Sequence, residues 1–150
     1  MRTARDIGDV ELIERDECVR LLGTQEVGRI GFVDHGAVDV LPVNYAVDGD
    51  AIVFATATGA KLWAAERAQV AFEVDATDPA TRTGWSVVVH GQAQEVTTLD
   101  APDLVQRVKR LEVRPWAGGD RPHLVRIVPR TISGRRVGYR ERRAGGGVAR

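Results

Sequence analysis

The chain has 150 residues, of which 43% are apolar and 28% are charged, as in ordinary globular domains. No stretch approaches the roughly eighteen consecutive apolar residues that a membrane helix requires, and the N-terminus lacks the apolar centre of a signal peptide. Cys18 is the only cysteine, which excludes an internal disulfide and a cysteine-rich metal site. These features predict one folded domain in the cytoplasm, with no membrane partner.

The net charge of zero conceals two segments of opposite charge. Residues 135–150 contain six arginines and one glutamate, a net charge of +5, so the residues before them carry −5. A segment rich in Gly and Arg cannot bury a core of its own. We therefore assign residues 1–136 to the folded domain and residues 137–150 to a basic tail that is predicted to be disordered. The tail is too short to predict a nucleic-acid partner.

A helix near the N-terminus is followed by a series of strands. The apolar period is helical over residues 14–23 and then changes to two, and the dipeptides His35-Gly36 and Asp48-Gly49 mark turns between the first strands. The further predicted elements are strands at 27–34, 37–48 and 51–56, a helix at 59–68, strands at 69–76 and 85–96, a helix at about 101–113, and one or two closing strands at 124–137. An antiparallel sheet of this size usually closes, so the predicted fold class is mainly β, a β-barrel with short helices.

The second predicted strand contains a change of phase. Val38 and Val40 fall on one face, whereas Val43 and Tyr45 fall on the other, and Pro42 lies beside the change. Because proline cannot donate to a strand ladder, we predict either a bulge or a sheet edge here. Backbone groups just after the proline would then face something other than a neighbouring strand.

The stretch FATATGAKLW, residues 54–63, has the residues of an anion site at a helix start. Thr58 caps the helix predicted from Gly59, whose first N–H groups lie at the positive end of the helix dipole. Lys61 is one of only two lysines among 21 basic residues, and a cation in the first turn is unfavourable unless an anion binds there too. With the hydroxyls of Thr56 and Thr58, it predicts a phosphate site; a solvated surface lysine is the alternative.

The sequence offers no catalytic constellation of its own. It contains no GxSxG, HExxH or paired-carboxylate motif, and its three histidines lack metal-ligand spacing, so no metal is predicted. An enzyme of this kind would depend on a bound cofactor. Trp85 opens a strand and Trp116 lies in a loop with Pro and Gly, where either could stack on a planar ligand, whereas Trp63 is predicted to pack in the core.

Six stretches in a fixed order carry a resemblance to a known family. They are VGRIGF, PVNYAVDGDAIVFATATGAKL, VAFEVD, GWSVVVHG, PW and RI…GRR, and they extend over about residues 12–136. In this order the sequence resembles the pyridoxamine 5′-phosphate oxidase-like proteins, which are small split-barrel flavin-binding proteins. It is similar in particular to the branch that includes the nitroimidazole-reductase-like members.

The resemblance implies a homodimer of six-stranded antiparallel split barrels with FMN in two clefts at the dimer interface. The residues that match the strand lining the flavin ring are Pro42, Val43, Asn44 and Tyr45. Those that match the turn holding the flavin phosphate are Thr56, Thr58 and Lys61. Trp85 and Ser86 match the start of a strand that reaches the cofactor from the partner subunit, and Trp116 matches a C-terminal aromatic residue near the ring.

The implied function is a flavin-binding oxidoreductase that acts on a small molecule, with NAD(P)H as one candidate donor and no nameable catalytic side chain. The basic residues that hold the substrate phosphate in the oxidase proper cannot be placed. The histidine of the nitroimidazole-reductase-like members is replaced by Ala55 or Thr56, so neither activity is expected. Three alternatives stay open. One is a split barrel that binds haem, or a deazaflavin whose polyanionic tail contacts Arg29 or Arg82; the second is a flavin-binding module without turnover; the third is an RNA-contacting protein that acts through its Arg-rich tail.

Overall fold

The computed structural model describes residues 10–57, 68–116, 118–121 and 123–138, and these contain seven strands and two helices. The elements are β1 (Val10–Ile13), α1 (Arg15–Leu22), β2 (Val27–Asp34), β3 (Ala37–Asp48), β4 (Ala51–Thr56), β5 (Ala68–Asp78), β6 (Thr83–Val96), α2 (Pro102–Arg110) and β7 (His123–Val137). Most of the helix predicted at 59–68, with Trp63, lies outside the described residues, although Ala68 is the first residue of β5. Of the tail predicted at 137–150, the part from residue 139 onward lies outside them, whereas Val137 is the last residue of β7 and pairs with Val10.

Six of the strands close into a barrel because β7 pairs on both sides. The ladders run β2–β3–β4–β7–β6–β5 and return to β2, and every pair is antiparallel. β1 lies beside the second half of β7, where Val10–Ile13 pairs with residues 134–137. The mainly β, six-stranded antiparallel barrel expected from the sequence is confirmed. The short strand β1, which no sequence pattern predicted, is an addition to it.

The barrel is split between β3 and β4. These strands pair only through residues 45–48 and 51–54, next to the turn at Gly49. Further from the turn, β3 pairs with β2, whereas Ala55 and Thr56 pair with β7. Within the described part of the chain, residues 37–44 therefore form a sheet edge, as one of the two sequence interpretations predicts. The other, a bulge at Pro42, is wrong, because the β2–β3 register is uninterrupted from residue 27 to residue 34.

The phase change in β3 arises because the tip of the β2–β3 hairpin projects from the barrel. Val38 on one face is 79% exposed and Leu41 on the other is 45% exposed, so both faces carry apolar residues without a core on either side. The register shift of this sheet lies elsewhere, between His90 and Gly91 opposite Pro129. A Cβ at Gly91 would lie 2.1 Å from the carbonyl oxygen of Val128, so the shift requires glycine.

Tyr45 fixes the base of the split. Its ring packs edge-on against Phe72, with the ring centroids 5.1 Å apart, and its hydroxyl donates to the carbonyl of Leu22 at the end of α1. Burial raises the pKa of Tyr45, which keeps the phenol protonated and able to donate. α1 buries Cys18, Leu21 and Leu22, the face that its sequence period predicts. Tyr45 thus ties the β3 side of the split to the core.

α2 ends earlier than the sequence predicts, at Arg110 instead of residue 113, because Glu112 adopts a left-handed backbone with φ 47°. The helix is attached to the barrel by an ion pair. Asp48, 7% exposed, accepts from Arg107 at 2.6 Å and from Arg126 at 3.1 Å. Hydrogen bonding to Arg107, and then to Arg126, lowers the pKa of Asp48 against the opposing effect of burial.

This pairing predicts that part of the free energy of unfolding is lost in acid. Because the pKa of Asp48 is lower in the folded state, its contribution to stability is complete above the unfolded value of about 4 and is lost as the pH falls through the folded value. Asp48→Asn should therefore lower the free energy of unfolding at pH 7, and the difference from wild type should shrink below about pH 4. Urea unfolding at a series of pH values measures it. A difference that stays constant down to pH 3 would contradict the prediction.

Candidate functional site

The divergence of β3 and β4 opens a cleft of about 370 Å³. Its walls come from β3 and β4, from the first residue of β2, and from the segment that connects α2 to β7. The described lining residues are Val27, Leu41, Pro42, Val43, Asn44, Ala55, Thr56, Pro115, Trp116 and Arg121. Most of these residues are apolar, one is aromatic, and the polar side chains are Asn44, Thr56 and Arg121. This is the usual make-up of a small-molecule site.

The structure brings half of the sequence-predicted site residues together in this cleft: Pro42, Val43, Asn44, Thr56 and Trp116. Tyr45 lies beside them, lining an adjoining cavity of about 440 Å³ that also contacts Asn44 and Trp116. Its hydroxyl is engaged by Leu22, so its contribution is structural. Thr58 and Lys61 lie outside the described residues, and the predicted phosphate turn stays a prediction beyond Thr56.

Trp85 and Ser86 lie away from the cleft of their own chain. Trp85 packs against the core and lines a separate cavity of about 340 Å³ with Thr77 and Arg136. Ser86 lines a third groove, with Leu12 and Ser133. The resemblance assigns both residues to the cleft of a partner subunit, and this assignment stays a prediction.

Asn44 holds Trp116 in place over the cleft. The backbone N–H of Trp116 donates to Asn44 Oδ1 at 2.7 Å, and Asn44 Nδ2 donates to the carbonyl of Glu26 at 3.4 Å. The indole itself is 74% exposed and borders three cavities. A large aromatic side chain held by its backbone, with its ring facing solvent, is available to stack on a planar ligand.

Arg121 is a site residue that the sequence reasoning missed. It lines the cleft, and its Nε is buried without a hydrogen-bond partner in the described part of the structure. A buried donor without a partner is costly, and a cationic one most of all, so it fits a ligand that brings an acceptor or a negative charge. The available signal was an arginine in the same Pro- and Gly-containing loop as Trp116.

His123 was missed as well, since the sequence placed it only at a loop edge. It begins β7 directly opposite Thr56 of β4. Its Nδ1 lies 2.5 Å from Glu95 Oε1, and both side chains are partly buried. The ladder thus places this pair next to Thr56, which lines the cleft, and Glu95 fixes the orientation of the imidazole. Nothing in the sequence links Glu95 to His123, because only the β6–β7 pairing brings them together.

Arg29 and Arg82 do not match the role considered for them with a deazaflavin. Arg29 Nη1 contacts Glu73 at 3.2 Å and Asp75 at 3.5 Å, so a polyanionic tail would have to displace two carboxylates. Burial, together with the neighbouring Asp75, raises the pKa of Glu73. Arg82 lies in the turn between β5 and β6 with φ 55° and lines none of the cavities next to Trp116.

Two negative findings apply to the described ranges. No cluster of three His, Cys, Asp or Glu side chains there has the geometry of a metal site. Neither of the two described helices has the length and apolar character needed to cross a membrane.

Comparison with known proteins agrees with the fold and the cleft. A family model described as pyridoxamine 5′-phosphate oxidase matches residues 14–136. The Mycobacterium tuberculosis protein named "Uncharacterized protein Rv0080" is 37% identical over 142 residues, covering 91% of this chain and 89% of its own.

Two solved structures are similar over most of the chain. One, from Corynebacterium glutamicum and provisionally described as a pyridoxamine 5′-phosphate oxidase, is 32% identical with a TM-score of 0.73, covering 88% of this chain and 96% of its own. The other, an FAD-binding protein from Mycobacterium smegmatis, is 34% identical with a TM-score of 0.67, covering 84% and 97%. The family resemblance drawn from the sequence is confirmed.

The Asn44–Trp116 contact should protect the Trp116 amide from hydrogen exchange. Asn44→Ala removes the acceptor of the Trp116 amide, so hydrogen exchange at that amide should become roughly fivefold to tenfold faster, as for the loss of one hydrogen bond. Asn44→Asp keeps an acceptor at the same position and should retain the protection. Amide exchange followed by NMR measures both variants. Equal exchange in wild type and Asn44→Ala would show that the contact does not hold Trp116.

Proposed function

The chain belongs to the pyridoxamine 5′-phosphate oxidase family, and from this premise we propose that it is a flavin-binding oxidoreductase whose cofactor occupies the split between β3 and β4. The observation that carries the proposal is the buried, unpartnered Nε of Arg121 in an apolar cleft bordered by the exposed ring of Trp116. A flavin has the matching parts: a flat ring system, carbonyl acceptors and an anionic phosphate.

The chain's own residues would bind and orient this cofactor. Trp116 would stack on the ring system, and Leu41 and Val43 would keep water from its face. The Thr56 hydroxyl and Arg121 would hold acceptor groups, with the imidazole of His123 beside Thr56. Lys61 of the predicted phosphate turn would complete the anionic end. A bound flavin supplies hydride or electron transfer to a small-molecule substrate.

We propose FMN as the cofactor. A cleft of about 370 Å³ is near the lower end of the range for small-molecule sites, which suits the smaller flavin. The Mycobacterium smegmatis relative is an FAD-binding protein. In this chain the adenylate half of FAD would have to extend into the two adjoining cavities that share Trp116, of about 440 and 560 Å³. The alternatives of haem and deazaflavin are disfavoured, since no residue lining the cleft is a usual haem ligand, the nearby His123 is paired with Glu95, and Arg29 is paired with Glu73.

The test is flavin uptake by the purified protein, with the mass of any co-purified ligand, and it includes Arg121→Met. This variant should weaken the affinity for FMN roughly tenfold to a hundredfold, as for the loss of a hydrogen bond to a charged group. The melting temperature should not fall, since an unpartnered buried donor is removed. Arg130→Met, on the exposed surface of β7, is the control and should bind as wild type does.

Two results would contradict the proposal. One is a protein that takes up neither FMN nor FAD. The other is an equal loss of affinity in the Arg121 and Arg130 variants. Turnover with NADH or NADPH and a panel of acceptors separates an oxidoreductase from a flavin-binding module without catalysis.

We further propose that the chain is a homodimer joined through the β2–β3 hairpin. Val33, Val38 and Val40 lie on one face of the projecting hairpin, flanking Gly31, and all three are exposed. Contiguous apolar surface of this kind marks an interaction site more often than a solvated face. A partner on this hairpin would lie beside Pro42, at the mouth of the cleft.

Val40→Glu should therefore shift the protein from dimer to monomer by weakening association at least tenfold, because it buries a charge at the interface. Leu99→Glu replaces another exposed apolar residue, on the loop before α2, and should leave the oligomeric state unchanged. Sedimentation or light scattering measures both. A monomeric wild type, or the same shift in both variants, would refute the interface.

A further inference from the structure

We propose that Asp48 is a positioning residue for the cleft: through Arg107 it holds residues 111–116, here called the lid, so that Trp116 stays over the cleft. The expected effect on ligand release rests on the proposed function. The attachment of the lid does not, because it concerns contacts within the chain.

Asp48 and Arg107 form a two-point contact. Arg107 Nε donates to Oδ1 at 2.6 Å and Arg107 Nη2 donates to Oδ2 at 3.2 Å, while Arg126 of β7 donates to Oδ2 at 3.1 Å. Paired, parallel hydrogen bonds of this kind fix orientation as well as distance. The carboxylate is almost fully buried and needs its partners, whereas Arg107 is half exposed. Asp48, which belongs to β3 and is also contacted by Arg126 of β7, is thus the residue of the barrel to which Arg107 attaches α2.

α2 has little else to hold it. Among the described residues, Val108 is the only one that the helix buries, and the Arg107 contact is its only hydrogen bond to the barrel. A helix of nine residues is not stable in isolation, so its position depends on these contacts. Its remaining side-chain hydrogen bond runs from Arg110 to Gln106 within the helix itself.

The lid follows α2 directly and returns to the same strand. Leu111 and Glu112 begin it, and at its far end the Trp116 N–H donates to Asn44. Asn44 and Asp48 are four residues apart on β3, which places both side chains on one face of the strand. One strand therefore carries both the residue that attaches α2, which leads into the lid, and the residue that attaches the far end of the lid. Glu112, with φ 47°, lies between them in a conformation that non-glycine residues keep only when their surroundings impose it.

The first test uses the full chain without ligand and measures hydrogen exchange at the Trp116 amide. Arg107→Ala should accelerate this exchange about fivefold, the factor for a partly exposed ion pair. Arg107→Lys should restore part of the protection, because it keeps the charge but loses the paired geometry. Arg110→Ala is the matched control on the same helix and should exchange as wild type does. Equal exchange in the two alanine variants would overturn the proposal.

The second test measures the rate at which bound FMN is released. Arg107→Ala should release FMN about fivefold faster than wild type, and Arg110→Ala should not. In a Trp116→Ala background, Arg107→Ala should cause no further acceleration, since the group it positions is gone. A full additional acceleration there would overturn the proposal, because Arg107 would then act on the cleft by another route. If wild type takes up no flavin, the proposed function fails, and the exchange test alone decides the attachment.

Discussion

The cleft depends on one constraint: β3 and β4 each pair with a different strand on the two sides of the split. β7 closes the barrel only if it pairs with β4, and β2 is completed only if it pairs with the outer part of β3. Because both pairings form, β3 and β4 diverge beyond the four residue pairs next to Gly49. Closing the cleft would break ladder hydrogen bonds elsewhere, so the opening is built into the closed sheet. An open edge of β3 is in turn the kind of backbone that a ligand or a second chain covers.

The distribution of paired arginines explains why one of them can serve the cleft. Arg29 is engaged by Glu73 and Asp75, and Arg107 and Arg126 share Asp48. Each of these pairs joins two elements of the fold. Arg121 differs, since its Nε is buried with no partner among the described residues. The fold does not use this donor for its own stability, and a cost of this kind persists when a ligand relieves it.

The sequence predicted the parts of the structure that local periodicity and turn chemistry determine. The strands from β2 to β7 follow from two-residue periods and from the turns at Gly36 and Gly49, and α1 follows from its apolar face. β1 was missed because four residues are too few to establish a period. The phase change near Pro42 was attributed to an edge or a bulge, and only pairing could separate them. α2 was predicted too long because the apolar period continues to Val113, whereas the backbone turns left-handed at Glu112.

The residues of the candidate site likewise fall into those that the sequence predicted and those that only the folded structure reveals. Pro42, Val43, Asn44, Thr56 and Trp116 were predicted through the order of family-like stretches and come together in the cleft. Arg121 and the His123–Glu95 pair were not predicted, because their environment exists only after β4, β6 and β7 assemble. Asp48 was read only as a turn residue. Its two arginine partners lie 59 and 78 positions later in the chain, and no spacing rule links them.

The two sides of the cleft are carried by parts of the fold that differ in how firmly they are held. Thr56 lies in the closed β4–β7 ladder, and Arg121 lies in the segment that leads into β7. The Trp116 side is carried by a short helix and a lid held to β3 by a few polar contacts. Segments with few buried contacts open at lower free energy than the sheet they cover. If the proposed function holds, we therefore expect substitutions in α2 to change the release rate of a bound ligand more than they change which ligand is recognised.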